Sequence, residues 1–418
     1  MSETGGGEGA ALTATLDALM RYGAAMLRAG DTAFRVREWM NVIARNMGLD
    51  ALSLHIALGA MTATARRGSV QVTLASEIGP LGVDASRIGA LEQLARNSRP
   101  GMTPQELATG LAAIEAAPPL YPLPATLAAV GVASGAFCYL NGGDLLEMVA
   151  AMVGGGFGQG ARSLLSRRRF NQYAGTALCA ILASGIYCLV VAAGSGTGFA
   201  HARQAAGFIS SVLFLVPGFP LVAGLNDLLQ HQTVAGISRL AYGTMLLLCA
   251  AFGMSLVAGI VGLTAEQMRP RGGELLTLLL RAIASFAGGC GFAILYNSHN
   301  RTVLAVGLFA LAGNELRLAL HDAGVSLAAA TFVGAFVVGL LASLTRNRLR
   351  RARIVLTVPG IIIMVPGIFA FQTIVLANQG YMLPALQEAA LGIFIVGAMA
   401  IGLTASRFLT DRRWTIES

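Results

Sequence analysis

A Val-Pro-Gly sequence within each of two apolar stretches limits the possible folds of this chain more than any other feature. Residues 214–227 read FLVPGFPLVAGLND, and residues 358–367 read VPGIIIMVPG. Proline removes a backbone donor and clashes with the preceding turn, so both helices are predicted to break or kink there. Irregular backbone at membrane depth persists only where protein or a water-filled cavity satisfies the freed polar groups. Two such breaks in corresponding positions of two halves are typical of a secondary transporter.

The composition indicates an integral membrane protein. Of the 418 residues, 55% are hydrophobic and only 12% are charged, whereas about a quarter are charged in soluble domains. The net charge of +8 does not indicate a nucleic-acid partner, because many arginines lie in loops beside apolar segments. The five cysteines lie inside apolar segments without metal-ligand spacing. We therefore expect no disulfide framework, no metal site and no cofactor.

Residues 12–119 are amphipathic rather than uniformly apolar, and they predict a soluble α+β domain that follows a flexible N-terminus of residues 1–11. Helical periodicity and capping residues predict helices at about 12–29, 31–47, 84–97 and 103–117. Alternating residues at 52–58 and 70–75, with 60–66 between them and a turn at 67–69, predict a small antiparallel sheet.

Ten apolar segments follow, each long enough to cross roughly 30 Å of hydrocarbon. They are approximately 124–141, 144–162, 173–193, 205–226, 240–263, 274–296, 302–320, 325–345, 353–377 and 385–406. Arginines concentrate in loops on the same predicted side as the soluble domain, at 167–169, 346–353 and 407–413. The positive-inside rule therefore places the soluble domain and the C-terminus in the cytoplasm.

The two halves of the membrane region resemble each other. A shift of about 156 residues aligns Asn141 with Asn297, Gly135 with Gly291 and Gln159 with Glu315, and with a gap it brings Pro217 towards Pro366. We predict an α-helical polytopic membrane protein with ten transmembrane helices in two inverted five-helix repeats. The repeats are residues 120–263 and 264–406, and a cytoplasmic tail of residues 407–418 follows.

Several short motifs carry a resemblance to the bacterial threonine/serine exporter family. They are GDTAFRV at 30–36, SGAF at 134–137, NGGD at 141–144, VPG at 216–218, ND at 226–227, GISR at 236–239, PGII at 359–362 and VPG at 365–367. The resemblance covers about residues 15–405. It implies ten spans in the bacterial cytoplasmic membrane, a cytoplasmic N-terminal domain, and efflux of threonine and serine driven by the proton motive force. Some members that are built as two chains are associated with dicarboxylate export, so succinate stays open as the cargo.

A zwitterionic amino acid needs an anion site and a cation site. Half-helix N-termini at Pro217-Gly218 and Pro366-Gly367 would present free N–H groups to a carboxylate. The side chains expected to bond a substrate hydroxyl are Asn141, Asn297 and Asn314. The alternative is that both Pro-Gly pairs are packing kinks.

Ionisable residues inside spans are costly and indicate function by default. Arg281 and Glu315 are expected to form an ion pair, and Glu315 is also a candidate for proton coupling. Asp227 is expected to pair with Arg239 or Arg162, or to take the coupling proton. For Asp144 and Glu147, at the head of the second predicted span, we expect a solvated interface.

Three classes of function remain. A proton-coupled exporter is favoured because it uses both Pro-Gly breaks. Its partners would be the small-molecule substrate, protons and the lipid bilayer, with a homo-oligomer left open. A passive channel would favour a continuous polar stripe through the membrane. A hydrolase built from Asp31, Arg35, Glu38, Ser53 and His55 lacks a nucleophile elbow, so we expect no catalytic residues.

Overall fold

The computed structural model describes residues 4–195, 205–263, 275–365 and 367–411. The chain forms two compact units. Unit 1 contains residues 1–120 and 223–241, and unit 2 contains residues 121–222 and 242–418. A hairpin segment from the predicted first membrane repeat, residues 223–241, therefore packs with the N-terminal region.

Unit 1 combines four helices and a three-stranded antiparallel sheet with the hairpin segment. The elements are α1 (Thr4–Arg28), α2 (Ala33–Asn46), β1 (Ala51–Ile56), β2 (Ala60–Arg67), β3 (Val70–Glu77), α3 (Ala85–Arg96) and α4 (Pro104–Ala116). The sheet order is β1-β2-β3, with His55 opposite Thr62 and Thr64 opposite Thr73. These elements lie where the sequence predicted them, with one exception. Helix α1 begins at Thr4, so residues 4–11 are helical where a flexible N-terminus was expected.

The sheet packs one face against α1. Residues of β2 alternate, and Met61, Ala63 and Ala65 are fully buried, as a strand with one covered face requires. Helix α1 contacts β2 and β3, and it contributes Leu16, Leu19 and Met26 to the core of the unit. The backbone of Gly30 ends the α1 region with φ of +99°, a conformation that glycine adopts without strain.

Apolar helices, most of them long, form most of the remaining chain. They are α5 (Leu123–Leu140), α6 (Leu145–Arg167), α7 (Gln172–Ser195), α8 (Ala205–Ser210), α9 (Gly218–Leu229), α10 (Thr233–Val261), α11 (Leu275–Leu295), α12 (Asn300–Asp322), α13 (Leu327–Leu349), α14 (Arg353–Ile361), α15 (Gly367–Asn378) and α16 (Met382–Thr410). Within the described ranges, seven helices are long and apolar enough to cross a membrane, or eight if α14 and α15 are one broken span. The chain is thus a polytopic membrane protein, and the count of ten spans stays a prediction.

Helix order along the chain is the same in both halves of this region. Each half has three long helices, then two short helices separated by a 3-10 turn, and then a long helix. Helices α5 and α11, the first of each half, pack directly together. Their approach is close at Gly291, where an added Cβ would lie 2.6 Å from the carbonyl oxygen of Ala129.

Candidate functional site

The break between α8 and α9 and the break between α14 and α15 share one local structure. A 3-10 turn precedes each, Leu213–Leu215 in the first and Ile362–Met364 in the second. The valine that follows is extended, with φ −63° and ψ 119° at Val216 and φ −65° and ψ 132° at Val365. The next helix starts at Gly218 or Gly367. Each break therefore places a helix N-terminus inside an apolar segment. The first N–H of each helix already has a partner, because Gly218 donates to the carbonyl oxygen of Val216 at 2.8 Å and Gly367 donates to that of Val365 at 2.9 Å.

The two breaks contact each other. A Cβ added to Gly218 would lie 2.9 Å from Cγ1 of Ile362 and 3.2 Å from Cγ2 of Val365. Reciprocally, a Cβ added to Gly367 would lie 3.0 Å from Cγ2 of Val216. A side chain at either glycine would require the neighbouring side chains to shift, so the two Val-Pro-Gly elements form one closely packed structural feature. Pro366 itself lies outside the described residues.

The earlier Val-Pro-Gly of the second stretch does not break its helix. Pro359 lies inside α14, which continues to Ile361. A break at this proline is therefore wrong as a prediction, and the chain leaves the helical conformation at Val365 instead. Proline has no N–H to donate to the carbonyl oxygen four residues earlier. Because α14 begins only at Arg353, few helical hydrogen bonds precede Pro359, and the helix loses little by the proline.

A small pocket adjoins the first break. It is too narrow to hold a water molecule. The lining comes from α5, the first 3-10 turn and α11, and consists of Val130, Ala133, Ser134, Leu213, Phe214, Gly291, Phe292 and Leu295. Ser134 supplies the polar side chain in this lining. The pocket therefore offers mainly apolar contact together with one hydroxyl.

The three asparagines predicted to bind a hydroxyl lie apart. Asn141 follows α5, and its Nδ2 donates to the carbonyl oxygen of Phe137 at 2.7 Å. Asn297 follows α11 in the left-handed region, with φ of +57°, which asparagine tolerates better than most residues. Both therefore lie at helix C-termini. Asn314 is different, because it is buried within α12.

Asn314 belongs to a polar network between α11, α12 and α13. Its Nδ2 donates to Oγ of Ser285 at 2.9 Å, and that hydroxyl donates to Oε1 of Glu315 at 2.9 Å. Oδ1 of Asn314 accepts from Nη1 of Arg317 at 3.1 Å, and Nε of Arg317 donates to Oγ1 of Thr331 at 3.0 Å. Arg317 was not predicted, although a charged residue inside the predicted span 302–320 was a sufficient signal.

Arg281 lies near Glu315, but its shorter contact is elsewhere. Its Nε is 3.9 Å from Oε2 of Glu315, whereas its Nη1 donates to Oδ2 of Asp322 at 2.8 Å. A separation of 3.9 Å is too long for a hydrogen bond. Glu315 is therefore held by the hydroxyl of Ser285 more closely than by the arginine.

Glu147 corrects the expectation of a solvated interface. It is fully buried, and its Oε1 accepts from the hydroxyl of Tyr187 at 3.1 Å. Its Oε2 accepts from the backbone N–H of Asp144 at 2.9 Å, while Oδ1 of Asp144 accepts from the N–H of Glu147. The two acids form a capping box at the start of α6. The spacing of Asp144 and Glu147 in the sequence indicated that they share a helix end, but it did not indicate that Glu147 is buried against Tyr187 of α7.

Asp227 caps a helix that is far away in sequence. Its Oδ1 accepts from the backbone N–H of Phe34 at 3.4 Å, at the N-terminus of α2. The local N-cap residue, Thr32, makes no capping hydrogen bond, and its buried hydroxyl has no partner within the described part of the chain. The carboxylate of Asp227 therefore takes the place of the missing local cap.

Arg239 binds the other side of the same turn. Its Nη1 donates to the carbonyl oxygen of Gly30 at 3.3 Å, and its Nη2 donates to that of Asp31 at 2.9 Å. Its Nε is 3.6 Å from Oδ2 of Asp227. Three of the motifs picked out above, at 30–36, 226–227 and 236–239, thus meet within unit 1.

A buried ion-pair network lies behind this turn. Arg35 contacts Asp31 at 2.9 Å and Glu92 at 2.9 Å, and Glu92 also contacts Arg96 at 2.6 Å. Burial raises the pKa of Glu92, but Arg35 and Arg96 outweigh it and hold that pKa below its usual value. The network keeps the charged turn paired away from water.

Asp227 is paired less well than Glu92, and its pKa moves the other way. It lies one residue beyond the predicted span 205–226. Burial raises its pKa to about 6, despite the opposing effects of Arg239 and of the backbone N–H groups of Phe34 and Ala33. The negative charge of Asp31 adds to the rise. A carboxyl with such a pKa exchanges a proton near physiological pH.

Over residues 4–195, 205–263, 275–365 and 367–411, no three His, Cys, Asp or Glu side chains come together to hold a metal ion.

Two family profiles match this sequence. One, described as "Putative threonine/serine exporter", matches residues 17–261, which is more than half of the chain. The other, described as "Threonine/Serine exporter, ThrE", matches residues 281–409. Together they span both the N-terminal region and both halves of the membrane region.

Individual relatives are named as transporters. The chain is 23% identical to "Threonine/serine exporter" of Corynebacterium glutamicum, over 94% of this chain and 81% of the relative. It is 24% identical to "Probable threonine/serine exporter" of Mycobacterium tuberculosis, over 86% of this chain and 69% of the relative. It is 29% identical to "Probable succinate transporter subunit YjjP" of Escherichia coli, over 32% of this chain and 51% of the relative. No solved structure matches.

Proposed function

The chain belongs to the threonine/serine exporter family, and on that premise we propose that it exports threonine and serine across the bacterial cytoplasmic membrane in exchange for protons. The observation that carries this proposal is the contact between the two Val-Pro-Gly breaks, at Gly218 and Gly367. Paired broken helices near the membrane midplane are the substrate sites of many secondary transporters.

In this proposal the membrane region has ten spans in two inverted repeats, residues 120–263 and 264–406. The shared order of long helices, 3-10 turn and broken helix in both halves supports such a repeat. The N-terminal α+β region and the C-terminal tail lie in the cytoplasm, because arginines concentrate on that predicted side. The polar elements at the breaks would take the substrate, with the N-termini of α9 and α15 facing its carboxylate.

Protons enter through buried carboxyl groups. Asp227 is the first candidate, since its pKa of about 6 allows protonation and release near neutral pH. Glu315 is the second, since it is held by the hydroxyl of Ser285 and lies 3.9 Å from its nearest arginine atom. Protonation of Asp227 would remove the negative charge from the N-terminus of α2, and so would link proton binding to the N-terminal region.

A dicarboxylate such as succinate is the second candidate cargo. The similarity to a relative named as a succinate transporter subunit favours it, but this similarity covers only 32% of the chain. Both cargoes carry a carboxylate, so both need an anion site at the breaks. The choice between them needs a direct measurement.

The test is uptake into inside-out proteoliposomes with an imposed pH gradient. Radiolabelled threonine, serine and succinate are offered in parallel, with a protonophore and protein-free liposomes as controls. We expect accumulation of threonine or serine that the protonophore abolishes. Accumulation of succinate alone would change the cargo, and absence of gradient-dependent uptake for all three would refute the exporter proposal.

A further inference from the structure

We propose, on the basis of the export function above, that Arg162 and Arg317 bind the carboxylate of the exported molecule, one at each Val-Pro-Gly break. Neither arginine belongs to the Pro-Gly elements or to the asparagines predicted from the sequence. The argument rests on their positions, on their unused donors and on the neutral groups that hold them.

Each arginine lies on the second long helix of its half, beside the 3-10 turn of that half. Arg162 of α6 donates from Nη1 to the carbonyl oxygen of Phe214, in the first 3-10 turn, at 3.0 Å. Arg317 of α12 lies beside Gly334. A Cβ added to Gly334 would be 3.2 Å from Cβ of Arg317 and 3.4 Å from Sδ of Met364, in the second 3-10 turn. Each arginine is therefore close to the 3-10 turn that precedes the break in its own half.

Both arginines have N–H donors that make no hydrogen bond within the described residues. A guanidinium has five N–H groups. Arg317 uses Nε on Thr331 and Nη1 on Asn314, and Arg162 uses Nη1 on Phe214. These partners are neutral, and in the part of the chain that the structure describes neither arginine forms an ion pair with a carboxylate. Among the described residues, Nη2 of Arg317 has no hydrogen-bond acceptor.

Two other arginines of the apolar helices, Arg281 and Arg353, use their donors differently. Arg281 pairs with Asp322 at 2.8 Å. Arg353 directs its donors to Gly339, Leu403, Ser406 and Thr410, and so fastens α14 to α13 and α16. Arg353 is thus a packing residue, whereas Arg162 and Arg317 retain both charge and donors.

An uncompensated cation in a membrane-spanning segment is costly, and such a residue usually marks a substrate or ion pathway. This argument applies to Arg317, which lies within the candidate span α12, whereas Arg162 is exposed near the end of α6. The planar fork of arginine matches the two oxygens of a carboxylate, which it bonds in a bidentate manner. The N-termini of α9 and α15 add positive potential beside the same breaks. The ligand class is therefore a small carboxylate, which includes both an amino acid and a dicarboxylate.

The experiment compares transport kinetics of Arg162→Gln, Arg317→Gln and the two lysine variants with the wild type. Arg348→Gln is the matched control, since Arg348 is exposed at the end of α13. KM and Vmax are measured in proteoliposomes for threonine, serine and succinate, normalised to the amount of inserted protein. We expect each glutamine variant to raise KM at least tenfold for the transported substrate, each lysine variant to recover part of the loss, and Arg348→Gln to match the wild type.

A KM within twofold of the wild type in either glutamine variant would overturn the proposal, even if Vmax fell, because a packing defect lowers Vmax without weakening carboxylate binding. Failure of the export function is distinguishable, since the wild type would then transport none of the three compounds. In that case equilibrium binding of radiolabelled threonine and succinate to solubilised wild type and variants decides the matter. Binding lost in both glutamine variants would support the proposal, and equal binding, or none by the wild type, would overturn it.

Discussion

Replacing Asp227 with asparagine tests the buried proton site most directly. The carboxyl group is fully buried at the N-terminus of α2, and Nε of Arg239 lies 3.6 Å from its Oδ2. Asparagine keeps an oxygen that accepts from the N–H of Phe34, but it carries no charge. The variant therefore removes the titration and retains the cap.

The magnitude follows from the pKa shift. The pKa of Asp227 rises from 3.8 to about 6, and one pKa unit corresponds to about 1.4 kcal/mol. The folded protein binds this proton more tightly than the unfolded chain, so stability is fully present below pH 4 and is lost as pH rises through about 6. At pH 7.5 the ionised carboxylate thus costs about 3 kcal/mol, which Asp227→Asn removes.

The assay is thermal unfolding in detergent between pH 4 and pH 8. The ring centroid of Trp39, on α2, lies 5.0 Å from the guanidinium carbon of Arg96. When Trp414 is changed to phenylalanine, the fluorescence of Trp39 therefore reports on unit 1. At roughly 2–4 °C per kcal/mol, Asp227→Asn is expected to unfold about 6–12 °C above the wild type at pH 7.5. The two proteins should converge near pH 4.

Asp84→Asn is the matched control, because Asp84 caps α3 through the N–H of Arg87 but is not fully buried. It should follow the wild-type pH profile. If Asp227→Asn also followed that profile, Asp227 would be ionised without cost and would not be a proton site. The same variant should weaken the dependence of transport on the pH gradient, and unchanged coupling would make Asp227 structural.

Four further substitutions test the fold. Pro217→Leu or Pro366→Leu should restore a continuous helix and abolish export while the protein remains in the membrane, and full transport in either variant would exclude the broken-helix site. Gly291→Ala should lower the free energy of unfolding by about 1–3 kcal/mol, because its Cβ would lie 2.6 Å from a carbonyl oxygen of α5. Gly259→Ala, with nothing within 4 Å of the added Cβ, is the control. Thr103→Ala removes a capping box and should cost about 1 kcal/mol by thermal unfolding.

Sequence reasoning succeeded where the determining interactions are local. The turn at Gly30 and the capping box at Thr103 act within a few residues, so helix ends in the N-terminal region were predictable. The breaks at Val216 and Val365 were predictable from proline, but the helical conformation of Pro359 was not, since it depends on where α14 begins.

Long-range contacts were not predictable. The partner of Glu147 is the hydroxyl of Tyr187, 40 residues later, and the helix capped by Asp227 lies 193 residues earlier. No local pattern encodes such distances. Arg317 is a different case, because its charge inside the predicted span 302–320 is visible in the sequence, whereas its partners on α12 and α13 are not.

The distant cap on α2 also sets an order of events during synthesis. The N–H of Phe34 emerges from the ribosome 193 residues before the carboxylate of Asp227 that accepts from it. At about 5–20 residues per second, the wait is about 10–40 s. During that interval α5, α6 and α7 are already made, so the N-terminal region completes its fold only after the first long apolar helices have left the ribosome.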